Sequence, residues 1–171
     1  MAEMSKECLE ELKAQCLALQ SSRKTLLLST LSQDGVPEIS YAPYGRGVDG
    51  CFYIFISELA AHTASLLHHP LASALFIREE SETKNLFARE RLSYRCSVRE
   101  VMRDTEEYDA GLECLAVDHA NMIAMLRTLP DFRLFALLPE QGSYVVGFGK
   151  AFDVDPKSGD LLHRDQDRLK G

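Results

Sequence analysis

The sequence predicts a mainly β protein, an antiparallel Greek-key barrel of six to seven strands with short flanking helices. An Asp-Gly pair, Asp34-Gly35, separates two apolar runs and accepts the positive φ of a tight hairpin turn. Two more glycines, Gly47 and Gly50, mark a second turn, and a later segment alternates apolar and polar residues. Periodicity alone leaves a sandwich open, but a closed barrel removes the edges that such strands would otherwise have to protect.

Seven runs of residues have the character of strands. Pro37 and Pro43 lie near the ends of the second run and favour an edge or bulged strand, because proline cannot donate to the ladder. A turn is predicted at 139–142, so Gly147 and Gly149 fall inside the last run, where they mark a bulge or a close approach to a ligand. The runs are 24–32, 36–46, 51–56, 71–77, 89–101, 132–138 and 143–154.

Three segments have helical periodicity. The first, from about Lys6 to Leu19, is amphipathic, and the second, from Ala60 to His69, is short and stops before a proline. The third begins at Asp104 or Thr105, where acidic residues favour the positive end of a helix dipole. It ends before Pro130.

Composition excludes several functional classes. The 171 residues carry a formal net charge of −7, which disfavours nucleic acid or an anionic membrane surface as the main partner. No apolar run approaches the roughly 20 residues of a membrane helix, and the N-terminus is unlike a secretory signal. We therefore expect a cytoplasmic protein with neither nucleic acid nor membrane as its partner.

The chain has no internal repeat and no linker. It is expected to form one domain over 1–171, with an N-terminal helix within 1–20 and a C-terminal tail at 155–171. The five cysteines are far apart and lack any C-x-x-C pair, so neither a disulfide framework nor a zinc site is predicted.

Four blocks of the sequence resemble, in order and spacing, the haem-utilisation proteins of the HutZ and HugZ type. Those proteins belong to the wider pyridoxamine 5′-phosphate oxidase-like, FMN-binding split-barrel superfamily. The blocks, which lie between Arg23 and Phe152, are RKTLLLSTLSQDGVPEISYAPY, FISELAAHTASLL, ETKNLFARERL and LPDFRLFALLPEQGSYVVGFGKAF.

The resemblance implies a split-barrel homodimer with ligand sites in clefts between the subunits. It further implies a cytoplasmic protein that binds haem and degrades it oxidatively to release iron. A haem-delivery protein would be an additional partner.

A haem enzyme needs an axial iron ligand, and imidazole is the common choice. The family supplies this histidine from the C-terminal tail, which implies His163 as the metal ligand here. The tail GDLLHRDQDRLKG has one histidine, followed by Arg164, and the family's second position is occupied by Asp167 or Arg168. If His163 does not reach a partner subunit's cleft, the chain would be a family member without haem chemistry.

The resemblance assigns catalytic roles to Arg91 and Asp131. Arg91 matches an arginine beside the haem, where a guanidinium pairs with a propionate or faces oxygen; Arg89 is the weaker candidate. Thr25 and Asp131 match residues near the proximal side of the haem. From the residues alone, Arg91 is equally a surface strand residue, Thr25 a strand residue, and Asp131 the cap of the turn after Pro130.

His62 lies in the second block. Relatives that hold FMN present an Arg-Lys pair in this region to grip the phosphate. His62-Thr63 stands in its place, which favours haem over FMN. By itself, the position is equally that of a solvated helix-cap histidine.

Three functions are therefore left open. The first is a haem-degrading oxygenase in which haem is both cofactor and substrate, and oxygen and an external reductant are consumed. The second is an FMN-dependent oxidoreductase, whose phosphate contacts would come from Arg23, Lys24 or other basic residues. The third is a non-catalytic haem carrier or storage dimer.

Overall fold

A computed structural model describes residues 5–164 of the chain. Its contacts divide the chain into two compact units. The described part of unit 1 comprises residues 5–23, 75–94 and 141–164, and unit 2 comprises 24–74 and 95–140. That residues 1–171 form a single domain stays a prediction.

The fold is mainly β and antiparallel, as predicted. The helices are α1 (Lys6–Ser21), α2 (Ala61–His68) and α3 (Glu106–Leu126), and two single 3₁₀ turns span Glu80–Glu82 and Leu86–Ala88. The described residues contain nine strands: β1 (Thr25–Leu31), β2 (Pro37–Pro43), β3 (Gly45–Arg46), β4 (Phe52–Ser57), β5 (Leu71–Ile77), β6 (Arg91–Val101), β7 (Phe132–Gly147), β8 (Lys150–Val154) and β9 (Leu161–His163).

In unit 2 the strands, or the parts of them that it contains, follow the order β2-β1-β5-β6-β7-β4-β3. β2 and β3 are consecutive in sequence yet stand at opposite ends of this order. The chain therefore joins the two ends of the sheet, which is how a barrel closes. Gly35 adopts the expected positive φ of 76° in the turn between β1 and β2, and the Ser32 N–H donates to the Val36 carbonyl at 2.9 Å.

The core of unit 2 lies between α3 and the β4–β7 pair. Its buried residues are Cys51, Tyr53, Phe55, Val101, Tyr108, Leu112, Leu115, Ile123, Leu134 and Ala136. At Gly45 the chain passes so close to α3 that an added Cβ would lie 2.5 Å from the carbonyl carbon of Cys114. No side chain fits there, so this glycine is a packing requirement.

Helix α3 begins at the Thr105 cap, whose hydroxyl accepts the Tyr108 N–H at 3.2 Å. His119 breaks it with non-helical angles of φ −133° and ψ 29°. Arg127 then reaches Asp109 at 3.4 Å. Because 18 residues of straight helix span about 27 Å, this ion pair means that the helix folds back on itself at His119.

Unit 1 contains α1, β8, β9, the two 3₁₀ turns, the end of β5, the start of β6 and the second part of β7. β8 pairs with β7, and β9 pairs with β8 with Phe152 opposite His163. Lys13 of α1 pairs with Asp160, in the turn before β9, at 2.8 Å. Fully buried side chains of this unit include Leu19, Leu92, Tyr144 and Phe152.

The turn predicted at 139–142 is wrong, because β7 continues through it. Pairing of β7 with β4 ends at Leu137 and pairing with β8 begins at Gly142, so Pro139 lies where that edge lacks a partner and its missing N–H costs nothing. The reversal comes at Gly149, with φ 68°. The bulge expected near these glycines is present, as a register shift between Val145 and Gly147.

Candidate functional site

The residues predicted to form the site are divided between the two units. Unit 1 holds Arg23, Arg89, Arg91 and His163, and unit 2 holds Lys24, Thr25, His62 and Asp131. Each unit therefore contains one half of the predicted set.

In unit 1, glutamates neutralise most of the arginines near the 3₁₀ turns. Arg23 pairs with Glu79 at 2.6 Å and with Glu82 at 3.2 Å. Arg89 pairs with Glu80 at 3.0 Å, and its Nε donates to the carbonyl of Arg78 at 2.6 Å. These guanidinium groups are already committed to carboxylates and backbone.

Arg91, the half-buried first residue of β6, differs from those arginines. Its Nη1 donates to the Arg89 carbonyl at 2.9 Å, and among the described residues that carbonyl is its only partner. A guanidinium paired with no carboxylate keeps its charge and most of its five donors for an anionic ligand.

Sequence reasoning missed Glu90, which is 6% exposed. Its carboxylate accepts from Nε and Nη2 of Arg78, each at 2.5 Å, and from the Tyr144 hydroxyl at 2.6 Å. Burial, followed by this hydrogen bond, raises the pKa of Tyr144. The alternation of buried and exposed residues along β6 could have indicated this burial. Glu90 lies two residues before the buried Leu92 and four before the buried Tyr94, so its side chain points to the same face.

His62 lies in the first turn of α2 and is half-buried. Its Nε2 is buried without a hydrogen-bond partner within residues 5–164. Desolvation lowers the pKa of this imidazole, and the nearby Glu38 carboxylate opposes the shift. A buried nitrogen without a partner costs about 1–3 kcal/mol, which fits a ligand-binding position better than a solvated cap.

Asp131 joins the end of β4 to the start of β7. Its carboxylate accepts from the Ser57 hydroxyl at 2.7 Å, and its carbonyl accepts from the Glu58 N–H at 2.8 Å. Thr63 in turn donates to the Ser57 carbonyl at 2.6 Å, which links Asp131 to the helix that carries His62. Its side chain therefore bonds a residue distant in sequence and does not cap the turn after Pro130.

Lys24 and Thr25 lie at the start of β1. The Lys24 ammonium pairs with Asp118 at 3.2 Å, and the Lys24 carbonyl lies 3.3 Å from Nε2 of His119, at the kink of α3. Thr25 is exposed, opposite Pro43. With Lys24 and Arg23 both paired to carboxylates, the two phosphate contacts named for an FMN site are already occupied.

His163 lies in β9, so part of the predicted tail 155–171 is a strand. Its Nε2 is 2.9 Å from the Gly149 carbonyl. A carbonyl only accepts, so Nε2 carries the proton of this hydrogen bond. Metal-bound histidines commonly donate their second nitrogen in this way. Asp167 and Arg168 lie outside the described residues.

The donor set fits haem better than it fits FMN. An imidazole held by a carbonyl, a buried imidazole nitrogen without a partner, and a guanidinium without a carboxylate suit iron and propionates. Among the described residues no group of three or more metal-binding side chains exists, but haem iron needs only an axial ligand from the protein. No described helix is long and apolar enough to cross a membrane.

The closed antiparallel sheet defines the chain as a split barrel. The pyridoxamine 5′-phosphate oxidase family model matches residues 12–146. The heme oxygenase HutZ of Vibrio cholerae is 39% identical over 143 residues, which are 84% of this chain and 79% of that protein. The chain therefore belongs to the pyridoxamine 5′-phosphate oxidase-like family, in its HutZ-type branch.

Two solved structures agree with this placement. The crystal structure of HutZ, described as the heme storage protein from Vibrio cholerae, has a TM-score of 0.75 and 34% identity over 80% of this chain and 97% of that one. Campylobacter jejuni ChuZ has a TM-score of 0.81 and 27% identity, over 95% of this chain and 64% of that one.

Proposed function

We propose that this protein binds haem and degrades it oxidatively to release iron, with oxygen and an external reductant consumed. The observation that carries the proposal is Arg91, a half-buried arginine whose only described partner is a carbonyl, in a chain of the HutZ-type branch. Bound haem would supply the iron that reacts with oxygen, while the protein supplies the contacts described below.

Arg91 would hold a propionate or face the oxygen, as a planar fork of donors allows. His62, with its buried Nε2, would be a further polar contact to haem. His163 would be the axial ligand, with the Gly149 carbonyl fixing the ring. Asp131, held by Ser57, would support the proximal side together with Thr25.

FMN is the weaker candidate. An FMN phosphate needs cationic partners, but Arg23, Lys24 and Arg89 are each paired with a carboxylate. The loss of three such pairs would oppose phosphate binding at these residues.

A non-catalytic haem carrier is the second candidate. It is favoured by the description of the HutZ structure as that of a heme storage protein. A carrier would use the same contacts to haem but would not consume it. Turnover therefore separates the two functions.

The test is an absorption spectrum of the purified protein before and after one equivalent of haemin per chain. We expect a sharp Soret band that His163→Ala abolishes and that the exposed control His68→Ala leaves intact. Ascorbate should then bleach the band and release iron to a chelator. Stable haemin in ascorbate would favour the carrier, and a flavin spectrum without a haem complex would overturn both haem functions.

We further propose that the protein is a homodimer. The outer face of the β1–β2 hairpin leaves apolar side chains exposed, among them Ile39 at 78% and Tyr41 at 64%. Leu27 and Tyr41 are opposite each other in register and lie on this same face. A second copy would cover it, and light scattering should then give twice the 19.2 kDa chain mass. The cytoplasmic location and a haem-delivery partner stay predictions.

A further inference from the structure

Two large apolar side chains protrude next to the arginines of unit 1. Phe87 is 89% exposed and Leu86 is 56% exposed, and both belong to the 3₁₀ turn that precedes β6. Single exposed apolar residues are ordinary on protein surfaces. Here two adjacent ones lie four and five residues before Arg91, the arginine without a carboxylate partner.

Backbone and side-chain contacts hold this turn in place. The Asn85 side chain accepts the Phe87 N–H at 3.0 Å, and the Ala88 N–H donates to the Asn85 carbonyl at 3.1 Å. Further along, the Arg89 side chain bonds the Arg78 carbonyl, and Arg91 bonds the Arg89 carbonyl. A surface fixed before binding loses less entropy when a ligand arrives.

Charge distinguishes what this surface can bind. Arg78 and Arg89 are neutralised by Glu90 and Glu80, so Arg91 contributes the uncompensated positive charge of the segment. The fitting ligand therefore has an apolar part and an anionic group. Haem has both, in its ring and its propionates.

We propose that residues 85–91 form an amphipathic contact surface for haem, with Phe87 against the porphyrin ring and Arg91 on a propionate. This inference rests on the proposed function and adds Phe87, with Leu86 beside it, to the residues that determine ligand specificity. The apolar contact and the ionic contact should be separable, because they touch different parts of the ligand.

The experiment is a Soret titration with haemin and with haemin dimethyl ester, whose propionates are uncharged. The proteins are the wild type, Phe87→Ala, Arg91→Ala and the control Phe148→Ala, another exposed phenylalanine of unit 1 at 70% exposure. Phe87→Ala should weaken both ligands roughly two- to tenfold, the range for an aromatic contact. Arg91→Ala should weaken haemin about tenfold and leave the ester unchanged, and Phe148→Ala should match the wild type.

The outcomes separate the inference from the function beneath it. If the wild type does not bind haemin, the proposed function fails. If it binds but Phe87→Ala behaves like Phe148→Ala, this inference alone is wrong. It is also wrong if Phe87→Ala leaves haemin affinity intact and converts a dimer to monomer by light scattering, since Phe87 would then contact a second copy. Urea unfolding should show that all variants fold, because both phenylalanines are exposed.

Discussion

Glu90 is the side chain on which the arginine-rich part of unit 1 depends. A buried carboxylate is costly unless its charge is compensated, and here two nitrogens of Arg78 and the hydroxyl of Tyr144 compensate it. The hydrogen bond that Arg78 donates to Glu90 raises the pKa of the Arg78 guanidinium, so this side chain stays charged. The Arg78 carbonyl in turn accepts from Arg89. One buried acid thus anchors the segment that presents Arg91.

Removing the Glu90 carboxylate should destabilise the folded protein. Glu90→Ala removes the partner of the Tyr144 hydroxyl and leaves Arg78 with the more distant Glu82 carboxylate at 3.6 Å. We expect a loss of about 2–3 kcal/mol in the free energy of unfolding, below the fully buried case because Arg78 is partly exposed and keeps this second carboxylate. The measurement is urea unfolding by circular dichroism. The control, Glu80→Ala, removes an exposed partner of Arg89 and should cost less than about 1 kcal/mol. Equal losses would show that the Glu90 network adds no stability.

At this scale the sequence could give the identity of candidate residues but not their partners. Arg91 and Arg89 are two residues apart in one block, yet one is paired with a glutamate and the other with a carbonyl. Which partner each arginine has depends on how the 3₁₀ turns place the glutamates, and the sequence does not show this. The burial of Glu90, by contrast, could have been predicted by extending the alternation of β6 backwards by one residue pair.

Helix α3 shows how an element can be predicted in extent but not in shape. Its start at Thr105 and its end before Pro130 agree with the sequence. Its reversal at His119 does not follow from helical periodicity, which continues on both sides of the kink. The contacts of the kink explain it, because Asp118 and His119 both bond Lys24, far away in sequence.

The close passage of β3 against α3 gives a second prediction. Gly45→Ala would place a methyl group against the backbone of Cys114 and Leu115, which cannot yield as a flexible side chain would. We expect a loss of about 2 kcal/mol in the free energy of unfolding, as for an overpacked core. Thermal and urea unfolding would measure it.

Gly147→Ala is the matched control for this substitution. The nearest atom to an added Cβ there is 3.8 Å away, on the side chain of Lys150, and φ is not positive. The control should change stability by no more than about 0.5 kcal/mol. A Gly45→Ala variant as stable as this control would mean that α3 is not packed tightly on β3.

The continuous course of strand β7 through 139–142 could not be predicted from the sequence. Pro139 and Gly142 carry the composition of a turn, but Gly142 is required because a Cβ would meet Tyr94 and Val154 within 3 Å. A glycine needed for packing and a glycine needed for a turn look the same in a single sequence. Which of the two roles a glycine has depends on the strands that pack beside it.

At the scale of the whole molecule, burial raises the pKa of several phenols and thiols in the described part of the chain. Desolvation is the main cause that raises the pKa of Tyr44 to about 12, of Cys51 to about 11 and of Cys96 to about 12. It also raises the pKa of Tyr53 and Tyr108. These groups remain protonated in the folded protein at a pH where the unfolded chain ionises.

The consequence is a loss of stability at alkaline pH. The ordinary pKa values are 9.0 for the thiols and 10.0 for the phenols, so the stabilisation is complete below pH 9 and is lost as the pH rises from there towards the folded values. Each such group lowers the free energy of unfolding by about 1.4 kcal/mol per pH unit. Urea unfolding between pH 8 and about 11 should show a falling curve.

Tyr44→Phe should flatten that curve above pH 10, because it removes one group that ionises only when unfolded. The wild type is the reference, because the exposed Tyr41 lies on the face proposed for the dimer. If Tyr44→Phe and the wild type follow the same curve, Tyr44 does not ionise selectively in the unfolded chain.

Unit 1 is assembled from three separated stretches of sequence, and this has a consequence for biosynthesis. Helix α1 leaves the ribosome early with Leu12, Cys16 and Leu19 on its apolar face, while Asp160, the partner of its Lys13, is translated near the far end of the described chain. During elongation this face has no cover from β8 and β9. A nascent chain stalled before Glu140 would therefore lack the third stretch of unit 1, although every residue of unit 2 but the last had already been made.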